Sequence, residues 1–261
     1  MYLSVVQTDP TFGSKTSNIQ QSLSMMQTFK ADLYVLPELF ATGYNFVDKT
    51  EVRQLAEPFG NGDTFQAMAK FACDSQCYVV YGFAECDGTK LFNSAAILGH
   101  DGTKGLYRKV HLFDREKLFF EPGDLGFQVF HTPLGKIGLM ICFDWYFPES
   151  ARTLALMGAQ LIAHPSNLVL SNCPDSMPTR CLENRVFAAT ANRVGTEDRG
   201  ESPLTFIGQS QITSPRGNII HRSPVNQPEI AVEEIDLTLA DDKNLTVLNN
   251  LFKDRRPETY L

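Results

Sequence analysis

Nothing at the start of this chain has the form of a secretory leader. Met1–Val6 turns apolar at once, with no basic stretch before it, so export is not expected. Apolar runs long enough to cross a bilayer, about 20 residues, are also missing. Cysteine is sparse: six residues, at 73, 77, 86, 142, 173 and 181, lack the density of a disulfide scaffold. Cys73 and Cys77 stand as Cys-x-x-x-Cys with Cys86 nearby, but no second pair and no neighbouring His completes the four ligands of structural zinc. Buried structural thiols in a reducing cytoplasm are therefore expected, with no metal and no cofactor. Basic residues number 23 against 30 acidic ones, and the net charge of −7 disfavours nucleic acid and anionic membrane as partners. Low-complexity linkers and internal repeats are absent.

What is present is an ordinary globular composition, 43% hydrophobic and 20% charged, at a length that suits one domain over residues 1–261. Short apolar runs alternate with amphipathic stretches. Strands are expected at 3–7, 33–36, 78–83, 91–98, 105–110, 127–131, 136–141, 161–163, 187–194, 205–214 and 230–235. Helices are expected at 18–29, 64–75, 148–157 and 177–184. Pro148 would open its helix and Gly158 close it. Segments 172–178 and 195–202 read as surface loops. The order implies an α/β fold with mixed sheets. The tail from about 245 to 261 is polar but carries apolar anchors at Leu251, Phe252, Tyr260 and Leu261, the pattern of a segment that docks.

Three positions carry chemistry. The run Ile137–Ile141 ends in Cys142, aromatic residues follow, and Pro148-Glu149 opens a helix. That is a buried strand delivering a thiol to a tight turn, where a helix N-terminus favours a thiolate and the Phe143 N–H can meet an oxyanion. Pro37 ends an apolar strand and leaves Glu38 beyond the sheet. Lys109 closes the alternating stretch Leu106–Val110. Taken singly, Cys142 reads as core packing, Glu38 as a solvent-facing cap and Arg108-Lys109 as a solvated basic edge. Taken together they are a nucleophile, a base and a cation for developing negative charge.

The blocks PELFATGY (37–44), RKVHLFDREK (108–117), CFDWYFPESAR (142–152), HPSN (164–167) and CLENRVFAATANRVG (181–195), with the FKDRR tail, resemble the nitrilase superfamily of carbon–nitrogen hydrolases along essentially the whole chain. The resemblance implies a four-layer αββα sandwich and a Glu38, Lys109, Cys142 triad, with Glu116 as a second carboxylate orienting the substrate amide or the Lys109 head. It also implies homodimers extending to αββα-αββα through helices near 148–157 and 177–184 and the C-terminal tail.

Within that family, Cys142-Phe143-Asp144 is closer to the amidase and carbamoylase pattern than to the Cys-Trp-Glu of nitrile hydrolysers. The following Phe-Pro-Glu-Ser-Ala-Arg resembles carbamoylputrescine-type hydrolases and small thermophile-type aliphatic nitrilases. Trp145 and Tyr146 occupy positions where branches that bind a substrate carboxylate carry Arg, so such substrates are disfavoured. Trp145, Tyr146, Phe147 and Tyr44 suit a neutral amide or, through their ring faces, an amine. Asn167 is a further pocket candidate or a turn residue. The expected activity is hydrolysis of a small amide or N-carbamoyl amine through a cysteine thioester. The alternatives are nitrile hydrolysis, a non-catalytic scaffold and a redox-sensing Cys142.

Overall fold

The structure, a computed structural model, describes residues 1–260; Leu261, read above as a tail anchor, lies outside the described residues. The first half runs β1 (Tyr2–Gln7), α1 (Lys15–Met26), β2 (Leu33–Val35), α2 (Lys49–Leu55), α3 (Asp63–Ser75), β3 (Tyr78–Asp87), β4 (Lys90–Gly99), β5 (Lys104–Arg108) and α4 (Glu116–Phe119). The second runs β6 (Gln128–Thr132), β7 (Gly135–Leu139), a 3₁₀ turn at Cys142–Tyr146, α5 (Pro148–Leu156), β8 (Leu161–Pro165), α6 (Cys173–Asn184) and β9 (Phe187–Ala191). A short hairpin, β10 (Thr196–Glu197) and β11 (Leu204–Thr205), precedes β12 (Gln211–Thr213), β13 (Ile219–Arg222) and β14 (Glu229–Glu234).

Two six-stranded sheets result, in the orders β14-β1-β2-β3-β4-β5 and β13-β12-β9-β8-β7-β6. Strand alternation decides what each covers. Leu3, Val5, Leu33, Val35, Tyr78 and Val80 face Ile137, Leu139, Leu161, Ala163 and Phe187 in a shared core between the sheets. The intervening Val6, Tyr34, Val79 and Tyr81 instead meet Ile19, Met26, Phe65, Met68 and Phe71 of α1 and α3. On the far side Ala151 and Leu154 of α5 and Met177 and Cys181 of α6 cover the second sheet. Strands buried on both faces read as continuous apolar runs, which explains the sequence pattern. The architecture is αββα, as expected.

Two local expectations are corrected, and one helix is new. Segment 172–178 is not a loop, because α6 starts at Cys173 and runs through Pro178. Pro178 has no N–H for the Pro174 carbonyl, but Gln211 Nε2 at 3.1 Å and Arg222 Nη2 at 2.9 Å donate to it instead. The run 205–214 is two strands, interrupted where Gly208 and Gln209 take positive φ. Helix α2, unforeseen, is capped by the Asp48 carboxylate, which accepts from Glu51 N at 2.9 Å.

Parallel strands β2, β7, β8 and β9 direct their carboxyl ends to one rim, the usual place for a ligand crevice in an open α/β sheet.

Candidate active site

Three strand ends build the site. Pro37 stops β2, and the backbone turns at Leu39 with φ +50°. Glu38 lies over β3, where a Cβ on Gly82 would come within 2.5 Å of Glu38 Cα; only glycine permits that approach. At the end of β5 the Lys109 N–H donates to Asn93 O and its carbonyl accepts from Gly123 N, both at 2.8 Å. A Cβ at Gly123 would overlap the Arg108 carbonyl. Beyond β7, Cys142 itself has φ +40°, a left-handed conformation uncommon outside glycine, and starts the 3₁₀ turn.

These ends converge. Lys109 Nζ donates to Glu38 Oε1 and to Glu116 Oε1, each at 2.7 Å, and all three groups are buried. Asn93 Nδ2 donates to the same Glu38 oxygen at 2.7 Å. Glu38 Oε2 is buried and has no partner among the described residues. The Tyr44 hydroxyl donates to Glu116 Oε1 at 2.6 Å, and the Phe113 N–H to Glu116 Oε2 at 3.2 Å. Asn167 joins Cys142 to Glu38: its carbonyl accepts from Cys142 Sγ at 3.7 Å, and its Nδ2 donates to the Glu38 carbonyl at 2.8 Å. Asn167 Oδ1 is buried and unpartnered.

Burial raises Glu38 from 4.5 to about 7, against the pull of the Lys109 charge. Burial alone would lower Lys109, but Glu116 and Glu38 hold it above the usual lysine range, so it is an ammonium. Burial, then the Glu38 charge, push Cys142 well above the ordinary thiol value although Lys109 opposes them. Helix-end stabilisation is too weak against complete desolvation beside two carboxylates, so the resting sulfur is a neutral thiol.

The Arg108-Lys109 dipeptide is no solvated edge. Arg108 is buried too, donating to Glu85 at 2.6 and 2.9 Å and to Asp87 and Asp124 at 2.8 and 2.9 Å, its guanidinium 3.9 Å from the Phe92 ring centre.

The aromatic predictions divide. A cavity of about 20 Å³ opens on Cys142, bounded by Phe113, Phe143, Trp145, Asn167, Leu168 and Leu170 among others. Tyr146 does not line it and is 54% exposed. A 3₁₀ turn repeats every three residues, so Trp145 returns to the side of Cys142 while Tyr146 rotates outward. Phe147 stacks on His111, with ring centres 3.8 Å apart. Tyr44 reaches Glu116 rather than this cavity, and borders a second one of about 50 Å³.

Sequence reasoning assigned no role to Asn93, Asp144 or His164. Asp144, fully buried, gathers Ile141 N (2.9 Å) and the Tyr107 hydroxyl (2.7 Å) on Oδ2, and His111 N (3.1 Å) and Nδ1 (2.8 Å) on Oδ1. His164 Nε2 lies 2.9 Å from the Cys142 carbonyl, which only accepts, so Nε2 carries the hydrogen. Burial depresses its pKa to about 4, keeping the ring neutral. A polar residue inside an apolar strand, as in LFNSAAIL and LIAHP, was the available signal.

A sandwich with a cysteine, a lysine and two carboxylates gathered at one rim defines a hydrolase of carbon–nitrogen bonds. The sequence profile described as Carbon-nitrogen hydrolase matches residues 3–243, and the chain belongs to that family. It is 53% identical over 230 residues to a nitrilase of Pyrococcus abyssi, covering 88% of this chain and 86% of that protein. It is 34% identical over 251 residues to the N-carbamoylputrescine amidase of Arabidopsis thaliana, covering 88% and 83%. Among solved structures, a carbon–nitrogen hydrolase from Helicobacter pylori G27 superposes with a TM-score of 0.88 at 26% identity, covering 100% of this chain and 97% of that one.

Proposed function

We propose that the protein hydrolyses a small amide or N-carbamoyl amine through a thioester on Cys142. The observation that carries this reading is the division of labour within Glu38. Its Oε1 is tied to Lys109 and Asn93, while its Oε2 is buried and free to take a proton. Glu38 accepts the Cys142 thiol proton as sulfur bonds to the carbonyl carbon. Lys109 and the Phe143 N–H stabilise the oxyanion. The protonated Glu38 passes its proton to the leaving nitrogen, the C–N bond breaks, and ammonia or an amine departs. Water, losing a proton to Glu38, attacks the thioester; the acid leaves and the proton returns to sulfur. Glu116 orients the Lys109 head, and Asn167 Oδ1 is suited to accept from the substrate amide N–H. Among the described residues no Arg or Lys lines the cavity on Cys142, and the nearby Lys109 is already paired with Glu38 and Glu116, which disfavours a substrate carboxylate there.

Ammonia release from a panel of short amides, N-carbamoyl amines and nitriles, with intact-mass detection of an acyl adduct on Cys142, tests the reading. Cys142→Ala should abolish both signals; an active Cys142→Ala protein overturns it. The 53% identity to a protein named nitrilase favours a second reading, nitrile to acid and ammonia through a thioimidate. Turnover of a nitrile at or above the rate of its amide would select it.

The assembly is a homodimer in this proposal. Leu156 and Met157 at the end of α5, Leu182 of α6, and Leu245, Val247 and Leu248 of the tail are exposed apolar groups on the expected interface elements. Arg152 of α5, Leu251 and Tyr260 border an adjoining recess of about 630 Å³, remote from Cys142. No helix among the described residues is long and apolar enough to cross a membrane.

A further inference from the structure

Two separate cavities lie at the site, one on Cys142 and one beside Glu116, and they share a single bordering residue, Phe113. The Phe113 ring sits edge-on to Phe143, with centroids 5.1 Å apart, and so belongs to the wall next to the nucleophile. Beyond it the second cavity is bordered by Phe46, Phe119, Phe120 and Leu204 on an apolar side and by Tyr44, Asn45, Asp114, Glu116 and Ser202 on a polar one. Arg115 and Glu201 also border that cavity and form an ion pair at 2.7 Å.

The geometry points to Phe113 as the residue that sets acyl-chain length, a partition that makes this a short-chain enzyme. The inference rests on the proposed amide hydrolysis and deepens it. The cavity on Cys142, about 20 Å³, has little more room than one water molecule requires, so it leaves no space for an acyl chain beside the reacting group. Added methylenes then pass toward the exposed Leu170, where they stay largely in solvent. Across Phe113 they would meet the rings of Phe46, Phe119 and Phe120 instead, a gain of about fourfold in binding for each methylene buried against them. The link from Phe113 to Glu116 is a main-chain N–H, so replacing the side chain leaves that hydrogen bond available.

The test compares wild type, Phe113→Leu and Phe113→Ala on butyramide and hexanamide. Two further methylenes should raise the hexanamide-to-butyramide ratio of kcat/KM by about 15-fold in Phe113→Ala, with a smaller rise of the same sign in Phe113→Leu. The same variants are alkylated at Cys142 with N-butyl and N-hexyl iodoacetamide, followed by intact mass, which needs no hydrolysis. A ratio within about twofold of wild type in both assays overturns the partition and leaves the hydrolase reading standing. Absence of amide turnover with a shifted alkylation ratio overturns the amidase reading and leaves the partition standing. Should Phe113→Ala fail to fold, the Phe113→Leu ratios decide alone, an unchanged pair overturning the proposal.

Discussion

Replacing Asp144 by Asn changes almost no volume, yet it removes a clamp on the turn that presents the nucleophile. Four donors converge on the carboxylate, Ile141 N and Tyr107 Oη on one oxygen, His111 N and Nδ1 on the other. An amide offers one acceptor oxygen and one NH₂. With NH₂ in the Oδ2 position it meets the Ile141 N–H; in the Oδ1 position it meets the His111 N–H. His111 Nδ1 can become an acceptor by changing tautomer, but a main-chain N–H cannot. One buried donor is therefore orphaned in either orientation, at about 1–3 kcal/mol, and the remaining bonds lose their charge assistance. A total on the order of 2–4 kcal/mol follows, which lowers Tm by about 4–12 °C in a chain of this size. Ile141 N is the main-chain donor next to the strained Cys142, so the turn relaxes there first. A displacement of about 1 Å at a nucleophile costs about 100-fold in rate. Differential scanning calorimetry reads the first effect, and kcat with the rate of Cys142 alkylation reads the second. An Asp144→Asn protein that melts within about 1 °C of wild type and reacts at the wild-type rate would refute the clamp.

Two further outcomes are expected. Glu38 must be ionised to take the thiol proton, and burial sets it at about 7, so kcat/KM should fall as pH drops below about 7 rather than below 4.5. Glu38→Gln should remove that acid limb and lower kcat by about 10²–10⁴-fold, read from pH–rate profiles. An activity flat from about pH 5 to about pH 8 would contradict the shift. Lys109→Met strands two buried carboxyls, Glu38 and Glu116, without their shared cation, and should cost about 3–5 kcal/mol in urea unfolding at neutral pH. The loss should shrink in acid, where the carboxyls are protonated; a stability deficit independent of pH would count against the pairing.

The local chemistry was legible in the chain itself. Apolar runs of strand length, the stop at Pro37 and the start at Pro148 located most strands and the entry to α5, because steric and hydrogen-bond limits on those residues act over a few neighbours. Glu38, Lys109 and Cys142 could be named for the same reason: each closes or follows an apolar segment where a polar group is out of place, whereas Glu116 was named only through the family resemblance. The first turn of α6, ahead of the expected 177–184, escaped because the carbonyl left by Pro178 is satisfied by Gln211 and Arg222, more than 30 residues further on.

Direction, burial and partnership were decided only in three dimensions. Whether Tyr146 faces the cavity depends on a 3₁₀ rather than an α turn, and that turn is held by Tyr107 and His111 from another part of the chain. Whether Cys142 rests as thiol or thiolate depends on how completely Glu38, Lys109 and the surrounding sheets exclude water. Sequence pattern carries short-range sterics and hydrophobicity; electrostatic environment is a sum over groups brought together by folding, and so it belongs to the tertiary structure.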